Sequence, residues 1–357
     1  MIPVTKTFLP PQQEYQAILK RAWEAGWITN RGKLVLELEE KLKDHLDVPN
    51  IICTTNGTLP LQIAIKAMKL KGEVITTPFS YVATTSSIVW EGCKPVFVDI
   101  HPEYFTIDET KIEKAITEKT SAILATHVYG NPCDVEAIAR IAKKYKLKVI
   151  YDAAHCFGVE YKGRSIFEYG DVSTCSFHAT KIFHTGEGGA IFTKDEELHH
   201  KLFYHHNFGH KGKEEFFGLG INAKMSEPQA AMGLAVLPYV ERILESRKRL
   251  VELYNELLAG SGLKSLMLRE GASWNYSYYP VLFENEAKLL KAKQELNNKG
   301  FYPRRYFYPC LSSLNYLAPQ KMPVANSVSE RVLCLPLFSD LTEDSIAVIS
   351  KILNFAL

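Results

Sequence analysis

The sequence has no cysteine spacing typical of a metal site and no large excess of positive or negative charge. Its seven cysteines are scattered and form no C-x-x-C pair or His/Cys cluster. Buried free thiols are therefore expected, rather than a zinc site or a disulfide framework. Forty-two Lys and Arg residues nearly balance 40 Asp and Glu residues, for a formal net charge of +2. Without a basic stripe, the chain is not expected to bind nucleic acid.

Long apolar runs are also missing. No uninterrupted apolar run is long enough to cross a bilayer, and the first residues, MIPVTKTFLPP, lack the apolar core of a signal peptide. We therefore expect no membrane segment and a cytoplasmic location. Hydrophobic residues make up 46% of the chain and charged residues 23%. This balance is ordinary for a globular protein, and the length of 357 residues is sufficient for two domains.

Strand-type and helix-type segments alternate along the chain. Strands such as EVITTP, SAILATH and KVIYD are separated by helical patterns such as KIEKAI and VEAIARIAKKY. This alternation predicts an α/β fold with a mostly parallel sheet covered by helices on both faces. We expect an N-terminal arm at residues 1–12, a large domain at 13–245 and a smaller C-terminal α/β domain at 246–357. The stretch from Ser226 to Leu258 predicts one long helix.

Lys181 stands in the polar segment SFHATK, between the strand patterns DVSTCS and AIFT. A lysine on a loop between two buried strands has no packing role. If it is desolvated there, it loses proton affinity and becomes a nucleophile towards carbonyls, as Schiff-base chemistry requires. A surface loop lysine is the alternative interpretation of this stretch alone.

Further polar groups follow other strands of the predicted sheet. Asp152 ends the strand KVIYD close to His155, Tyr81 begins a helix, and the turn at Gly57 and Thr58 precedes the helix LPLQIAIKAMKL. Because open α/β sheets bind ligands at the carboxyl ends of their strands, these groups are expected at one edge. A turn at a helix N-terminus also offers backbone N–H groups to a phosphate.

An amine, a carboxylate and a phosphate seat are together what pyridoxal phosphate needs. The cofactor aldehyde takes the amine of Lys181, and a protonated ring nitrogen requires the carboxylate of Asp152. Ser176 can complete the phosphate seat. Each neighbour also has a structural alternative: a helix-start residue for Thr58, a core hydroxyl for Ser176, and a packed ring for Tyr81 or His155. Their joint occurrence favours the cofactor.

Eight motifs in order resemble the DegT/StrS sugar-nucleotide aminotransferases, a branch of the fold-type I enzymes. The resemblance covers almost the whole chain and includes WITNRG, TTNGT, TPFSYVAT, KPVFVDI, HVYGNPCD, YDAAHCFG, SFHATK with GEGG, and GINAKMSEPQAAMG. It implies a fold-type I large domain with a mixed, mostly parallel sheet, a smaller C-terminal α/β domain, and bound pyridoxal 5'-phosphate.

The resemblance also implies residue roles. Lys181 would form the Schiff base with the cofactor and then move the substrate proton, and Asp152 would pair with the ring nitrogen. Tyr81 would stack on one face of the ring, and His155 would contact the other face or the phenolate. The phosphate would be held by Gly57, Thr58, Ser176 and, from the neighbouring subunit, Asn222. That last contact implies a homodimer with active sites at the subunit interface.

Substrate recognition is expected to involve the WITNRG loop and two positions where the chain departs from the family pattern. Lys224 stands where many members have Arg, and RRYFYP replaces the usual His-Tyr-Pro segment. A lysine cannot make the bidentate contact of an arginine with a carboxylate or phosphate. The candidate substrate residues are Thr29, Asn30, Lys224, Arg304, Arg305 and Tyr308. Surface arginines in a turn are the alternative for Arg304 and Arg305.

The expected reaction is a ping-pong transamination, in which an amino acid, L-glutamate in our interpretation, gives its amino group to a nucleotide-linked keto sugar. GINAKMSE and RRYFYP resemble members that convert dTDP-4-keto-6-deoxy-D-glucose to dTDP-4-amino-4,6-dideoxy-D-glucose for surface polysaccharide such as lipopolysaccharide O-antigen. Alternatives are amination of a 3-keto sugar, a GDP- or UDP-linked 4-keto sugar, a cofactor-binding regulator, and an inactive structural dimer. The retained Lys181 argues against loss of activity.

Overall fold

The predicted alternation of strands and helices is present in residues 1–356, the part of the chain that the structure, a computed structural model, describes. The α-helices of these residues are α1 (Gln12–Ala25), α2 (Lys33–Leu46), α3 (Leu59–Ala67), α4 (Val82–Trp90), α5 (Glu109–Ala115), α6 (Val135–Tyr145), α7 (Glu196–His206), α8 (Glu227–Val236), α9 (Val240–Leu257), α10 (Glu286–Asn298), α11 (Pro323–Arg331) and α12 (Glu343–Ala356).

A seven-stranded sheet forms the centre of the molecule. Its strands are β1 (Ile51–Thr54), β2 (Glu73–Thr76), β3 (Lys94–Phe97), β4 (Thr120–Thr126), β5 (Lys148–Asp152), β6 (Val172–Ser176) and β7 (Gly189–Phe192). The order is β1-β7-β6-β5-β4-β2-β3. Only β7 runs antiparallel to its neighbours, whereas β6, β5, β4, β2 and β3 pair in parallel. The predicted mostly parallel sheet is confirmed.

Both faces of this sheet are buried. Along β5, Val149 and Tyr151 join a core cluster with α2, α6 and α8, whereas Ile150 joins a cluster with α3 and α7 on the other face. The alternation follows from the strand pleat, which points successive side chains to opposite faces. Because both faces need apolar side chains, strands such as β4 and β5 carry apolar residues at consecutive positions.

A smaller antiparallel sheet lies in the C-terminal part, with the order β8 (Lys264–Ser265), β9 (Tyr279–Leu282) and β10 (Val332–Leu335). It shares a separate apolar core with α10, α12 and the second half of α9. The first half of α9 contacts the core of the large sheet through Val240 and Ile243. The proposed domain boundary at residues 245 and 246 falls inside α9, between these two sets of contacts, and it stays a proposal.

The remaining strands are two-residue pairings. In the proposed N-terminal arm, Ile2–Pro3 pairs in parallel with Phe301–Tyr302. The other pairings join Glu160–Tyr161 with Arg164–Ser165 and with Ala272–Ser273, and His210–Lys211 with Glu215–Phe216. The arm thus lies against the C-terminal part of the chain.

The prediction of one long helix from Ser226 to Leu258 was wrong. A 3₁₀ turn at Leu237–Tyr239 separates α8 from α9. This turn contains Pro238, which has no backbone N–H and cannot continue the α-helical hydrogen bonding. The break lies just before the half of α9 that contacts the large-domain core.

All seven cysteines are free and buried, as expected for small apolar side chains. No helix within residues 1–356 is both long and apolar enough to cross a membrane.

Candidate active site

One cavity of about 330 Å³ lies at the carboxyl-end edge of the large sheet. The turn after β1, the loop after β2 and the ends of β5 and β6 all open into it, because parallel strands bring their carboxyl ends to the same edge. The cavity volume falls in the range of small-molecule sites. Its lining includes eight of the residues predicted from sequence: Gly57, Thr58, Tyr81, Asp152, His155, Ser176, Lys181 and Arg304.

Lys181 projects from the loop that joins β6 to β7. Buried aromatic side chains anchor this loop on both sides of the lysine, because the rings of Phe177 and Phe183 pack edge to face with centroids 4.9 Å apart. Burial lowers the pKa of the Lys181 ammonium, an effect that the nearby Asp152 carboxylate partly opposes. The Nζ atom lies 5.8 Å from the centroid of the Tyr278 ring. The loop therefore presents an amine with reduced proton affinity.

Asp152 is held at the end of β5 with only 6% of its surface exposed. Its Oδ2 accepts a hydrogen bond of 2.6 Å from the Thr84 hydroxyl, and its Oδ1 accepts one of 3.1 Å from the backbone N–H of Ala154. Burial raises the pKa of Asp152, whereas these two hydrogen bonds and the Lys181 charge favour the anion. The carboxylate is consequently fixed in one orientation at the cavity wall.

His155 is held in a single tautomer. Its Nδ1 accepts a 3.1 Å hydrogen bond from the backbone N–H of Tyr129, so the neutral ring carries its hydrogen on Nε2. Burial, together with the Lys181 charge, lowers the pKa of His155 well below its ordinary value. The imidazole lies nearly parallel to the Phe307 ring, with centroids 5.9 Å apart. The site therefore contains a flat, neutral hydrogen-bond donor.

The turn after β1 forms the polar end of the cavity. The side chain of Asn56 accepts hydrogen bonds from the backbone N–H groups of Thr58 and Leu59, at 2.9 and 3.0 Å. Sequence reasoning did not anticipate this capping, which occupies the Thr58 N–H that was expected to face a phosphate. The donors that remain for an anion are the hydroxyls of Thr58 and Ser176 and the N–H of Gly57.

The turn can lie this close to β6 only because residue 57 is a glycine. A Cβ atom at residue 57 would lie 2.7 Å from the Cβ of Ser176. The backbone can therefore approach the Ser176 hydroxyl only because residue 57 has no side chain. The hydroxyl and N–H donors of this cradle suit a phosphate, the amine suits an aldehyde, and the fixed carboxylate suits a basic ring nitrogen. These residues therefore fit pyridoxal phosphate.

We expect Gly57→Ala to damage this cradle. The added methyl group has to displace the backbone turn or Ser176, which should lower the free energy of unfolding by about 1–3 kcal/mol and weaken cofactor binding. Thermal unfolding and titration of the apoprotein with the cofactor measure the two effects. Wild-type stability and wild-type cofactor affinity of the Gly57→Ala variant would contradict the role of Gly57.

Six predicted site residues lie outside the cavity of this chain: Thr29, Asn30, Asn222, Lys224, Arg305 and Tyr308. Thr29 and Asn30 are exposed in the loop between α1 and α2. The Nζ of Lys224 donates a 2.7 Å hydrogen bond to Oδ1 of Asn222 and lies 4.5 Å from the centroid of the Phe208 ring. The predicted contact of Asn222 belongs to a partner subunit, so it stays a prediction.

The two adjacent arginines differ in their surroundings. Arg305 donates to Glu286 at 2.7 Å and to the backbone carbonyl of Glu330 at 3.0 Å, and its guanidinium stacks 3.4 Å from the centroid of the Tyr308 ring. Arg304 lines the cavity and has no ion-pair partner among residues 1–356. The geometry therefore separates an arginine paired with a carboxylate from one that lines the cavity with its guanidinium 4.9 Å from the centroid of the Tyr306 ring.

Several lining residues were not predicted as site residues. Tyr278, Tyr306 and Phe307 come from the C-terminal part of the chain and cover the cavity beside Lys181. Thr84 does not line it, yet its hydroxyl touches Asp152. The sequence carried a signal for only some of them: Tyr306 and Phe307 lie in the noted RRYFYP segment, whereas Tyr278 and Thr84 resemble ordinary residues of a strand and a helix.

Comparison with known proteins agrees with this geometry. The model of the DegT/DnrJ/EryC1/StrS aminotransferase family matches residues 11–354. The dTDP-4-amino-4,6-dideoxy-D-glucose transaminase of Escherichia coli is 41% identical, over 99% of this chain and 98% of that protein. The enzyme of the same name from Shigella dysenteriae is 42% identical, over 96% and 95%. The crystal structure of DesI in the presence of its TDP-sugar product has a TM-score of 0.94 at 31% identity, over 99% of this chain and 92% of that one.

The fold and the cavity thus define the class of the protein, an α/β enzyme built around a lysine and a carboxylate that suit pyridoxal phosphate. The chain belongs to the DegT/DnrJ/EryC1/StrS aminotransferase family. It is accordingly a pyridoxal-phosphate-dependent aminotransferase, and the fold class, the enzyme class and the cofactor predicted from sequence are confirmed.

Proposed function

We propose that this aminotransferase moves an amino group from an amino acid, L-glutamate in the first instance, to C4 of dTDP-4-keto-6-deoxy-D-glucose. The product would be dTDP-4-amino-4,6-dideoxy-D-glucose, used in surface polysaccharide such as the O-antigen. The observation that carries the reaction is the meeting of Lys181 and Asp152 in one cavity. The 41–42% identity to two transaminases of that name, over nearly the full length of each, supports the sugar.

The roles of the cavity residues follow from their chemistry. When bound, pyridoxal phosphate supplies a reactive aldehyde and a ring that withdraws electrons from the substrate α-carbon. Lys181 supplies the amine, and its Nζ can take and return the substrate proton because burial lowers its pKa. The carboxylate of Asp152 would hold a hydrogen at the ring nitrogen. Thr58, Ser176 and the N–H of Gly57 would bind the phosphate.

Two side chains that line the cavity can position the cofactor ring. Tyr81, at the start of α4, has 62% of its surface exposed and can lie against one ring face. His155 can donate its Nε2 hydrogen to an oxygen of the ring or lie against the other face. Because His155 stays neutral, it adds no second positive charge beside Lys181.

The anionic part of the nucleotide sugar would extend past Arg304. A groove of about 480 Å³ adjoins the cavity and shares Thr180, Arg304 and Tyr306 with it. Its lining carries the cations Lys293 and Arg304 and no carboxylate. Two cations without acidic partners suit a diphosphate, and an arginine can contact phosphate through two N–H groups.

We expect Arg304→Ala to raise KM for the nucleotide sugar by about 10- to 100-fold, since a charge-assisted hydrogen bond to phosphate is lost. KM for glutamate should change little. Steady-state kinetics with each substrate varied separately measure this split. Arg305→Ala is the contrast: it should lower the melting temperature, because Arg305 pairs with Glu286, and leave KM for the sugar within about threefold of wild type. If Arg305→Ala raised KM for the nucleotide sugar more than Arg304→Ala does, the roles assigned to the two arginines would be reversed.

We further propose a homodimer in which Asn222 reaches the phosphate in the partner subunit. The support is a set of exposed apolar side chains on α1, on the loop after it and in the segment before Asn222. It includes Trp23, Trp27, Phe216, Phe217 and Leu219. Large apolar side chains that are exposed on one subunit are often covered at a subunit interface. A cytoplasmic location is supported by seven buried thiols without a disulfide.

Product analysis tests the proposed reaction. The purified enzyme with cofactor and glutamate is offered keto sugars carried on dTDP, UDP or GDP, and products are identified by mass spectrometry and NMR. We expect an amine at C4 of the dTDP-linked 6-deoxy sugar. Amination at C3, or a preference for GDP or UDP, would replace our substrate with one of the alternatives. If glutamate alters the cofactor spectrum and no sugar accepts the amine, the half-reaction stands and the proposed class of substrate is wrong; if glutamate leaves the spectrum unchanged, the regulatory alternative gains support.

A further inference from the structure

A chain of three buried hydroxyls ends on the Asp152 carboxylate. Thr126, the last residue of β4, donates to Ser80 at 3.1 Å, the hydroxyls of Ser80 and Thr84 are 2.7 Å apart, and Thr84 donates to Asp152 at 2.6 Å. All three hydroxyl residues are at most 4% exposed. The fold assembles the chain because β5, β4 and β2 are neighbouring strands, and Ser80 and Thr84 follow β2.

The direction of every bond in this chain is fixed by counting hydrogens. A carboxylate only accepts, so the single hydroxyl hydrogen of Thr84 is used on Asp152. Ser80 must then donate its own hydrogen to Thr84, and Thr126 must donate to Ser80. All three dipoles point their positive ends towards the carboxylate. Hydrogen bonds aligned in this way polarise one another and strengthen the last bond of the chain.

We propose that Thr84, with Ser80 and Thr126 behind it, is a positioning residue that keeps the Asp152 carboxylate charged and correctly oriented for the cofactor ring nitrogen. The proposal rests on the role of Asp152 in the proposed function. Burial alone favours the neutral acid at this position. The N–H of Ala154 donates only to Oδ1, so Thr84 is the residue of this polypeptide that donates a hydrogen bond to Oδ2. A protonated or rotated carboxyl group accepts the ring hydrogen poorly.

The neighbouring residue Thr85 provides a matched control. It is also fully buried on α4, but its hydroxyl has no hydrogen-bond partner among residues 1–356. Replacing a threonine with valine keeps the shape at both positions. Thr84→Val therefore removes a hydrogen bond to a charged group, whereas Thr85→Val removes none.

The test is the dissociation constant of pyridoxal phosphate, measured by titrating each apoprotein and following absorbance and tryptophan fluorescence. We expect Thr84→Val to weaken binding about tenfold, since a hydrogen bond to a charged group is lost. Thr85→Val should bind as wild type, and Thr84→Ser should restore affinity. Ser80→Ala should weaken binding less than Thr84→Val, and Thr126→Val less again, because each acts through the next hydroxyl.

Melting temperatures of the same apoproteins separate positioning from stability. Equal affinity of the Thr84→Val and Thr85→Val variants would overturn the proposal, and so would an affinity order that follows the melting temperatures alone. A wild-type affinity for Ser80→Ala would refute the chain and leave Thr84 acting by itself. The Asp152→Asn variant tests the proposed function separately from the role of the hydroxyls. If this variant binds the cofactor as tightly as wild type, the proposed role of Asp152 is wrong, whatever the hydroxyl variants do.

Discussion

Replacing Lys181 with alanine should lower the rate of transamination by about 10⁴-fold or more, because residues that act as the covalent nucleophile and the base leave little activity when removed. The variant should fold normally, since the Lys181 amine makes no hydrogen bond or ion pair with another described residue. Single-turnover assays with glutamate and the keto sugar measure the loss.

A covalent test locates the lysine directly. Borohydride reduction of the wild-type holoenzyme should fix the cofactor to the peptide that contains Lys181, as seen by peptide mass spectrometry. The exposed Lys194, on the loop after β7, is the control: Lys194→Ala should keep the activity and the labelled peptide of wild type. Label on any other lysine, or full activity of Lys181→Ala, would refute the proposed catalytic role.

Replacing Asp152 with asparagine should lower kcat by about 10²- to 10³-fold, the usual cost of losing one electrostatic group at a reacting centre. The amide has the same shape, so the packing beside Thr84 and Ala154 is kept while the negative charge is lost. A neutral partner cannot hold a hydrogen at the ring nitrogen as firmly. Stopped-flow absorbance of the half-reaction with glutamate measures the rate of the chemical step.

Asp195→Asn is the matched control for this substitution. Asp195 caps α7 by accepting a hydrogen bond from the backbone N–H of Leu198, and asparagine is an equally good cap. This variant should therefore keep both rate and stability. A rate for Asp152→Asn within about threefold of the control would show that the charge is not used.

The apoprotein of Asp152→Asn also tests the cause of the pKa shift. Burial raises the pKa of Asp152, so the charged form weakens the fold as pH rises above the ordinary value of the carboxyl group. The neutral amide lacks this pH-dependent loss, so the melting temperature of the variant should fall less than that of wild type as pH rises from about 4 towards neutral.

The central sheet and most of the site could be predicted from the sequence for local reasons. An apolar run ending in Asp152 and a run of small and β-branched residues ending in Ser176 identified strands, and parallel pairing then required their carboxyl ends to meet. Lys181 was recognisable because a polar loop lies between two such strands. The break at Pro238 could also have been found, since proline cannot donate to a helix; the apolar pattern on both sides outweighed that signal in our prediction.

Other features depended on contacts between distant parts of the chain. The capping of α3 by Asn56 uses a side chain that equally well could have faced solvent. Arg304 and Arg305 are identical in local sequence terms, and only their surroundings separate a cavity residue from the partner of Glu286. Tyr278 lies just before β9 and about 100 residues after Lys181, a separation that no local pattern spans.

The sequence by itself therefore determined the order of elements, the edge of the sheet that binds ligands and the identity of the amine and the carboxylate, because these follow from periodicity and residue chemistry. Only the tertiary structure decided which hydroxyls support Asp152, which arginine faces the cavity and which nitrogen of His155 carries the hydrogen. These depend on hydrogen bonds and packing between residues far apart in the chain, where a displacement of one ångström makes or breaks the contact.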